Sequence, residues 1–75
     1  MYNMTDDEKT RLTKDFTYHP PFPNQVPRYE EIRDYGRTFA ATLLKDCPPS
    51  RERSLALTAL EEAVMWANAS IARNE

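Results

Sequence analysis

The sequence predicts an all-α chain: an antiparallel helical hairpin with a short N-terminal helix, self-associating into a homo-oligomer. Three observations lead there. Pro20, Pro21, Pro23 and Pro27 form one cluster and Pro48-Pro49 another, leaving two long runs without proline, Arg28 to Cys47 and Ser50 to Glu75. In both runs apolar residues recur at alternating steps of three and four, the period of one helix face. The last run also carries more apolar surface than a two-helix hairpin can hide.

At the front, Thr5 with Glu8 three residues later is a capping-box pattern, and Asp6, Asp7 and Glu8 sit where the helix dipole favours negative charge. A short helix over about residues 6–14 is expected, anchored by Leu12 and Phe16. Segment 16–27 is expected to be extended by its prolines. Pro27 then suits the first turn of a helix over about 28–46, because its missing N–H costs nothing there. Tyr29, Ile32, Phe39, Leu43 and Asp46 or Cys47 form its apolar face, with Gly36 filling the step between Ile32 and Phe39. In a helix interior Gly36 costs about 1 kcal/mol against alanine. Its expected compensation is the close approach of another backbone.

Ser50 reads as an N-cap, and Pro48-Pro49 stop any helix arriving from upstream. A helix over about 51–73 would be roughly 34 Å long at about 1.5 Å per residue. Leu57, Leu60, Val64, Ala67 and Ile71 fall on one of its faces. The link from Cys47 to Pro49 is short, so the two long helices must fold back on each other. Residues 1–75 read as one helical-hairpin domain.

Composition narrows the rest. A chain of 75 residues, 40% of them apolar, has a thin core of its own and calls for a staple or a partner. Cys47 is the one cysteine and His19 the one histidine, so disulfides and a four-ligand zinc site are excluded. No metal or cofactor is expected. No apolar run approaches the ~18 residues of a membrane span, and the acidic MYNMTDDEKT start is unlike a secretory signal, so a cytoplasmic protein is expected. A net charge of −2 argues against DNA, and a single glycine excludes Gly-rich phosphate loops. Association remains. Ala56, Ala59, Ala63 and Ser70, with Leu55, Met65 and Trp66 beside them, form the second stripe that would carry it. The alternative is a monomeric three-helix bundle in which the N-terminal helix covers that stripe.

Catalysis is hard to build from these residues. Glu61 and Glu62 are adjacent and point about 100° apart on a helix, so they cannot act as an acid/base pair. His19 has no nucleophile at motif spacing, Ser50 reads as a cap, and Cys47 as a small buried hydrophobe. No catalytic residue is expected. Phe16, Tyr18 and Phe22 gather aromatic rings around His19, with Lys14 upstream and Arg28, Arg33 and Arg37 downstream. Rings stack on bases and guanidinium forks bind phosphates. The plainer reading has the rings plugging a core and the arginines paired with Glu30, Glu31 and Asp34. A structural or adaptor hairpin, whose second face binds another protein, is the alternative function.

The run PPSRERSLALTALEEAVMWANASIARNE, Pro48 to Glu75, resembles the helical hairpin shared by phage anti-CBASS cyclic-nucleotide sponges and the related anti-Thoeris sponges. FTYHPP, Phe16 to Pro21, and RYEEIR, Arg28 to Arg33, are similar to the compact anti-CBASS type. This likeness covers nearly everything from Phe16 onward. It implies a hexamer in the cytoplasm of the infected bacterial host that sequesters cyclic dinucleotides without degrading them. It further implies a pocket at the junction of two protomers, lined by a tyrosine and a basic residue fifteen positions later. Tyr18 and Arg33 have that spacing, although the family's basic residue is often lysine. Arg37, Phe16 and His19 join them as expected contacts. Cyclic trinucleotides would occupy a separate pocket between subunits, to which Arg73 and Arg51 are assigned on charge.

Overall fold

A computed structural model describes all residues, Met1–Glu75. It consists of three helices and no strand: α1, Asp6–Phe16; α2, Val26–Asp46; and α3, Arg51–Asn74. Local chemistry sets their starts. Thr5 Oγ1 accepts from the Glu8 N–H at 3.1 Å while the Thr5 N–H donates to Glu8 Oε1 at 2.8 Å, completing the capping box. Ser50 Oγ accepts from the Arg53 N–H at 3.1 Å and caps α3. Pro27 lies in the first turn of α2, as its locked φ favours.

Three pairings fix α2 and α3 as antiparallel. Arg28 at the start of α2 meets Glu75 after the end of α3. Midway, a Cβ built on Gly36 would lie 2.7 Å from Val64 Cγ2. At the turn, Arg53 Nη1 donates to the Leu44 and Cys47 carbonyls, at 3.3 and 3.2 Å, satisfying acceptors that the end of α2 leaves open. The neighbour that excludes a side chain at Gly36 is thus the Val64 methyl, where the sequence led one to expect another backbone.

Leu57, Leu60, Val64, Ala67 and Ile71 line the α3 side of the seam, as the periodicity predicts. Tyr29, Ile32, Gly36, Ala40 and Leu43 line the α2 side. Phe39 corrects the expected pattern: it is exposed, and the neighbouring Ala40 turns inward. Helices that touch at Gly36 leave no room for a benzyl group one turn on, whereas a methyl fits.

Three further expectations change. The α1 helix continues to Phe16, and the connection is confined to residues 17–25, with a turn in which the Gln25 N–H donates to the Phe22 carbonyl at 2.9 Å. Helix α2 begins at Val26 and α3 reaches Asn74. Leu12 and Phe16 do not anchor α1, since both are exposed. Helix α1 meets the hairpin near its C-terminus, where Asp15 pairs with Arg73 at 3.7 Å, and it leaves the second stripe of α3 open. Trp66 is 58% exposed and Met65 64%. The indole N–H of Trp66 is satisfied by Glu62 at 3.2 Å, so its exposed ring has no unmet polar need.

The outcome is a plate of 50 × 38 × 13 Å with a radius of gyration of 17.0 Å. A compact chain of this length would have about 11 Å. Only Ile71 and Gln25 are buried.

The Gly36–Val64 contact yields a test. Gly36→Ala gains about 1 kcal/mol of helix propensity but overpacks the seam, which typically costs about 1–3 kcal/mol. We expect a lower melting temperature, and Val64→Ala in the same chain should recover the propensity gain. Thermal unfolding followed by circular dichroism reads both.

Candidate functional site

Where α1, the connecting segment and the open end of the hairpin converge, they enclose a cleft of about 540 Å³. Pockets for small ligands span about 300–1,000 Å³. Helix α1 contributes Lys14 from its last turn, and the connecting segment contributes His19, Pro20, Pro21 and Phe22. Helix α2 places Tyr29 and Arg33 on one wall, one turn apart. Helix α3 places Asn68, Ala69, Ala72 and Arg73 on another, with Glu75 beyond them.

The charges are unevenly spent. Glu75 is engaged by Arg28 through two parallel hydrogen bonds of 2.8 and 2.7 Å, a bidentate pair. Arg28 holds the Glu75 carboxyl below its ordinary range, with help from the Gln25 amide, and the Arg28 guanidinium is raised in turn. Arg73 is 3.7 Å from Asp15, and its guanidinium lies 6.0 Å from the centre of the Trp66 ring. Lys14 and Arg33 have no carboxylate partner, so the pairing of Arg33 with Glu30 that would make it a plain surface residue is absent. Asn68 Oδ1 is buried without a hydrogen-bond partner. Two free cations, two aromatic rings and amides around an open cleft can hold an anion that also presents a flat apolar face.

The sequence-predicted residues divide. Arg33 and His19 line this cleft, and so does Arg73, which the resemblance places at a second pocket. Tyr18 and Phe16 are exposed and stand outside it. Arg37 is one turn beyond Arg33 and does not reach it. Arg51 begins α3 and Arg73 is in its last turn, about 33 Å away at about 1.5 Å per residue, so within one chain they cannot share a ligand. Lys14, in the sequence a charge just upstream of the rings, lines the cleft, and so does Tyr29, expected on the apolar face of α2. Gln25, Asn68 and Glu75 line it too, although no spacing of charges or rings points to them. Glu75 could have been found: a hairpin turning at 47–50 brings the start of α2 to the end of α3.

A second open feature lies on the hairpin's flank. Tyr35, Gly36, Phe39, Leu60, Ala63 and Val64 line most of an apolar slot. No group of His, Cys, Asp or Glu is arranged to hold a metal ion, and no helix is long and apolar enough to cross a membrane.

A family model described as the Acb2/Tad1 hairpin domain matches residues 8–72. The match reaches further upstream than Phe16 and takes in most of α1. No curated protein and no solved structure matches the chain.

The Arg28–Glu75 pair predicts a pH response. Because the folded pKa of Glu75 is lowered, its contribution is fully present above the ordinary carboxylate pKa and is lost as pH falls through the lowered one. Titration of the Glu75 side chain by NMR should give a midpoint below that of a free glutamate. Arg28→Ala should return it most of the way.

Proposed function

Since the chain belongs to the Acb2/Tad1 hairpin-domain family, we propose that it is a phage counter-defence sponge. It binds cyclic dinucleotide signals of bacterial immunity without degrading them and so keeps them from CBASS effectors. The observation that carries this reading is Arg33 in a cleft beside Tyr29 and Phe22, with Lys14 nearby and no carboxylate on either cation. A chain of net charge −2 can bind an anion because these cations are local and unspent. Their forks and ammonium group would meet ring phosphates while the aromatic rings meet base faces. In this reading, which the family membership supports, the protein acts as a binder and not as an enzyme.

Residues 1–75 act as one hairpin unit in this reading, with the connecting segment as the ligand loop. The unit self-associates in the host cytoplasm, as a hexamer. Two buried residues in a plate-shaped chain leave too little core for a stable monomer, and the slot around Phe39 and Ala63 offers apolar surface for another copy. Association brings Tyr18, exposed on its loop, to a ligand held at the junction of two protomers, with Phe16, His19 and Arg37 as outlying contacts. It also allows Arg51 of one chain to approach Arg73 of another, where a cyclic trinucleotide would sit.

The assignment is tested by incubating the protein with a panel of cyclic dinucleotides, removing free ligand and heating. Intact ligand should be released. Degraded ligand would mark a nuclease, and a chain that retains none would fit the adaptor hairpin. By calorimetry, Arg33→Ala should bind at least tenfold more weakly with little change in melting temperature, and unchanged affinity would remove Arg33 from the pocket.

Ala63→Glu places a charge in the slot. Light scattering should show an oligomer for the unaltered chain and a smaller species for the variant. A unaltered chain that is monomeric at tens of micromolar would end the assembly proposal.

A further inference from the structure

The prolines leave one handle on the wall of the cleft. Pro20, Pro21 and Pro23 have no backbone N–H, so Phe22 carries the one amide donor of the stretch Pro20 to Pro23. That donor is taken by Gln25 Oε1 at 2.9 Å, while the Gln25 N–H donates back to the Phe22 carbonyl at 2.9 Å. Gln25 is 4% exposed, the most buried polar residue of the chain. It stands at the N-cap of α2, yet its side chain does not cap that helix. Instead Gln25 Nε2 donates to Glu75 Oε1 at 3.2 Å, and the same carboxylate takes both hydrogen bonds from Arg28.

Both ends of the Gln25 amide are thus committed, and in one orientation only. The oxygen must face an N–H and the nitrogen must face a carboxylate. A buried amide with both functions met resists rearrangement, because freeing either end leaves a desolvated polar group. The links run from Phe22 through Gln25 and Glu75 to Arg28, joining the proline wall to both long helices. Glu75 lies beyond the residues matched by the family model.

We infer that Gln25 and Glu75 form a clamp that positions the Pro20–Phe22 wall of the cleft for its ligand. This rests on the reading of the cleft as an anion site. Both are positioning residues, acting through Phe22. Without the clamp the wall must be ordered when ligand binds, which weakens affinity. Glu75 on the edge of an anion site is otherwise unfavourable, since its charge opposes the ligand. The clamp gives that carboxylate a reason to be there.

The two explanations differ in sign. If Glu75 acted by charge alone, Glu75→Ala would raise affinity for an anion. The clamp predicts the opposite: at least threefold weaker binding of cyclic GMP–AMP by calorimetry on the full chain. Gln25→Ala, which changes no charge, should lose a similar factor. The double variant should lose little more than the weaker-binding single one, because both cut one linkage. Hydrogen exchange at the Phe22 amide should be slow in the unaltered chain and fast in each variant. Glu75 follows the last turn of α3 and is outside the hairpin seam, and the Gly36–Val64 contact and the Arg53 ties at the turn still hold α2 against α3 without it, which the melting temperature of Glu75→Ala checks. Binding by Glu75→Ala as tight as by the unaltered chain, or tighter, would overturn the clamp. If the unaltered chain binds no cyclic GMP–AMP, the sponge reading fails for that ligand and the Phe22 amide decides the clamp. Slow exchange lost in Gln25→Ala upholds it, and equal exchange rejects it.

Discussion

Two antiparallel helices can bury one stripe of each, and here Gly36 draws α2 against Val64 so closely that the shared seam is narrow. Next to that contact the seam takes small and medium side chains, Ala40, Val64 and Ala67, while Tyr29 fits toward its open end. Phe39, one turn from Gly36, is displaced to the rim. A narrow seam makes a thin plate, and a thin plate leaves apolar side chains on both flanks. Phe39 is exposed beside that close contact, and Trp66 and Met65 are exposed because a two-helix hairpin buries one stripe of α3 and α1 does not cover the other.

The same seam creates the cleft. Its far end is tied by Arg53 to the last carbonyls of α2, which leaves the other end to be closed by something else. The connecting segment and the tip of α1 arrive there, held by Gln25 on one side and by Asp15 against Arg73 on the other. Neither tie is apolar. A site at the open end of a hairpin is therefore framed by polar links, which position groups by direction and distance. Hydrophobic packing, being non-directional, could not orient Phe22 in this way.

Electrostatics follows from that framing. The chain is acidic overall, but its carboxylates near the cleft are occupied: Glu75 by Arg28, and Asp15 by Arg73 and Arg11. Lys14 and Arg33 are left over. Exposed ion pairs contribute little to stability. Their effect here is one of sorting, since they decide which cations remain for a ligand.

What the sequence by itself determined are the features decided over three or four residues. The capping box at Thr5–Glu8, the cap at Ser50, the proline in the first turn of α2 and the inward stripe of α3 are set by chemistry within one or a few helical turns, and they appear as expected. Gly36 was legible too, because a glycine in a helix interior costs enough to need a reason. The resemblance of the Pro48–Glu75 run pointed to the family, which no count of charges or rings could do. The tertiary structure alone decided the rest. Whether Phe39 or Ala40 faces inward depends on how α2 is rotated against its partner, and adjacent residues differ by about 100°. Whether Arg33 is paired, and whether α1 covers the second stripe, depends on competing partners that spacing does not rank. The bond from Gln25 to Glu75 spans fifty residues. Nothing local to either residue specifies it; it exists because the hairpin closes and brings the start of α2 to the end of α3, where Glu75 accepts from Gln25 as well as from Arg28.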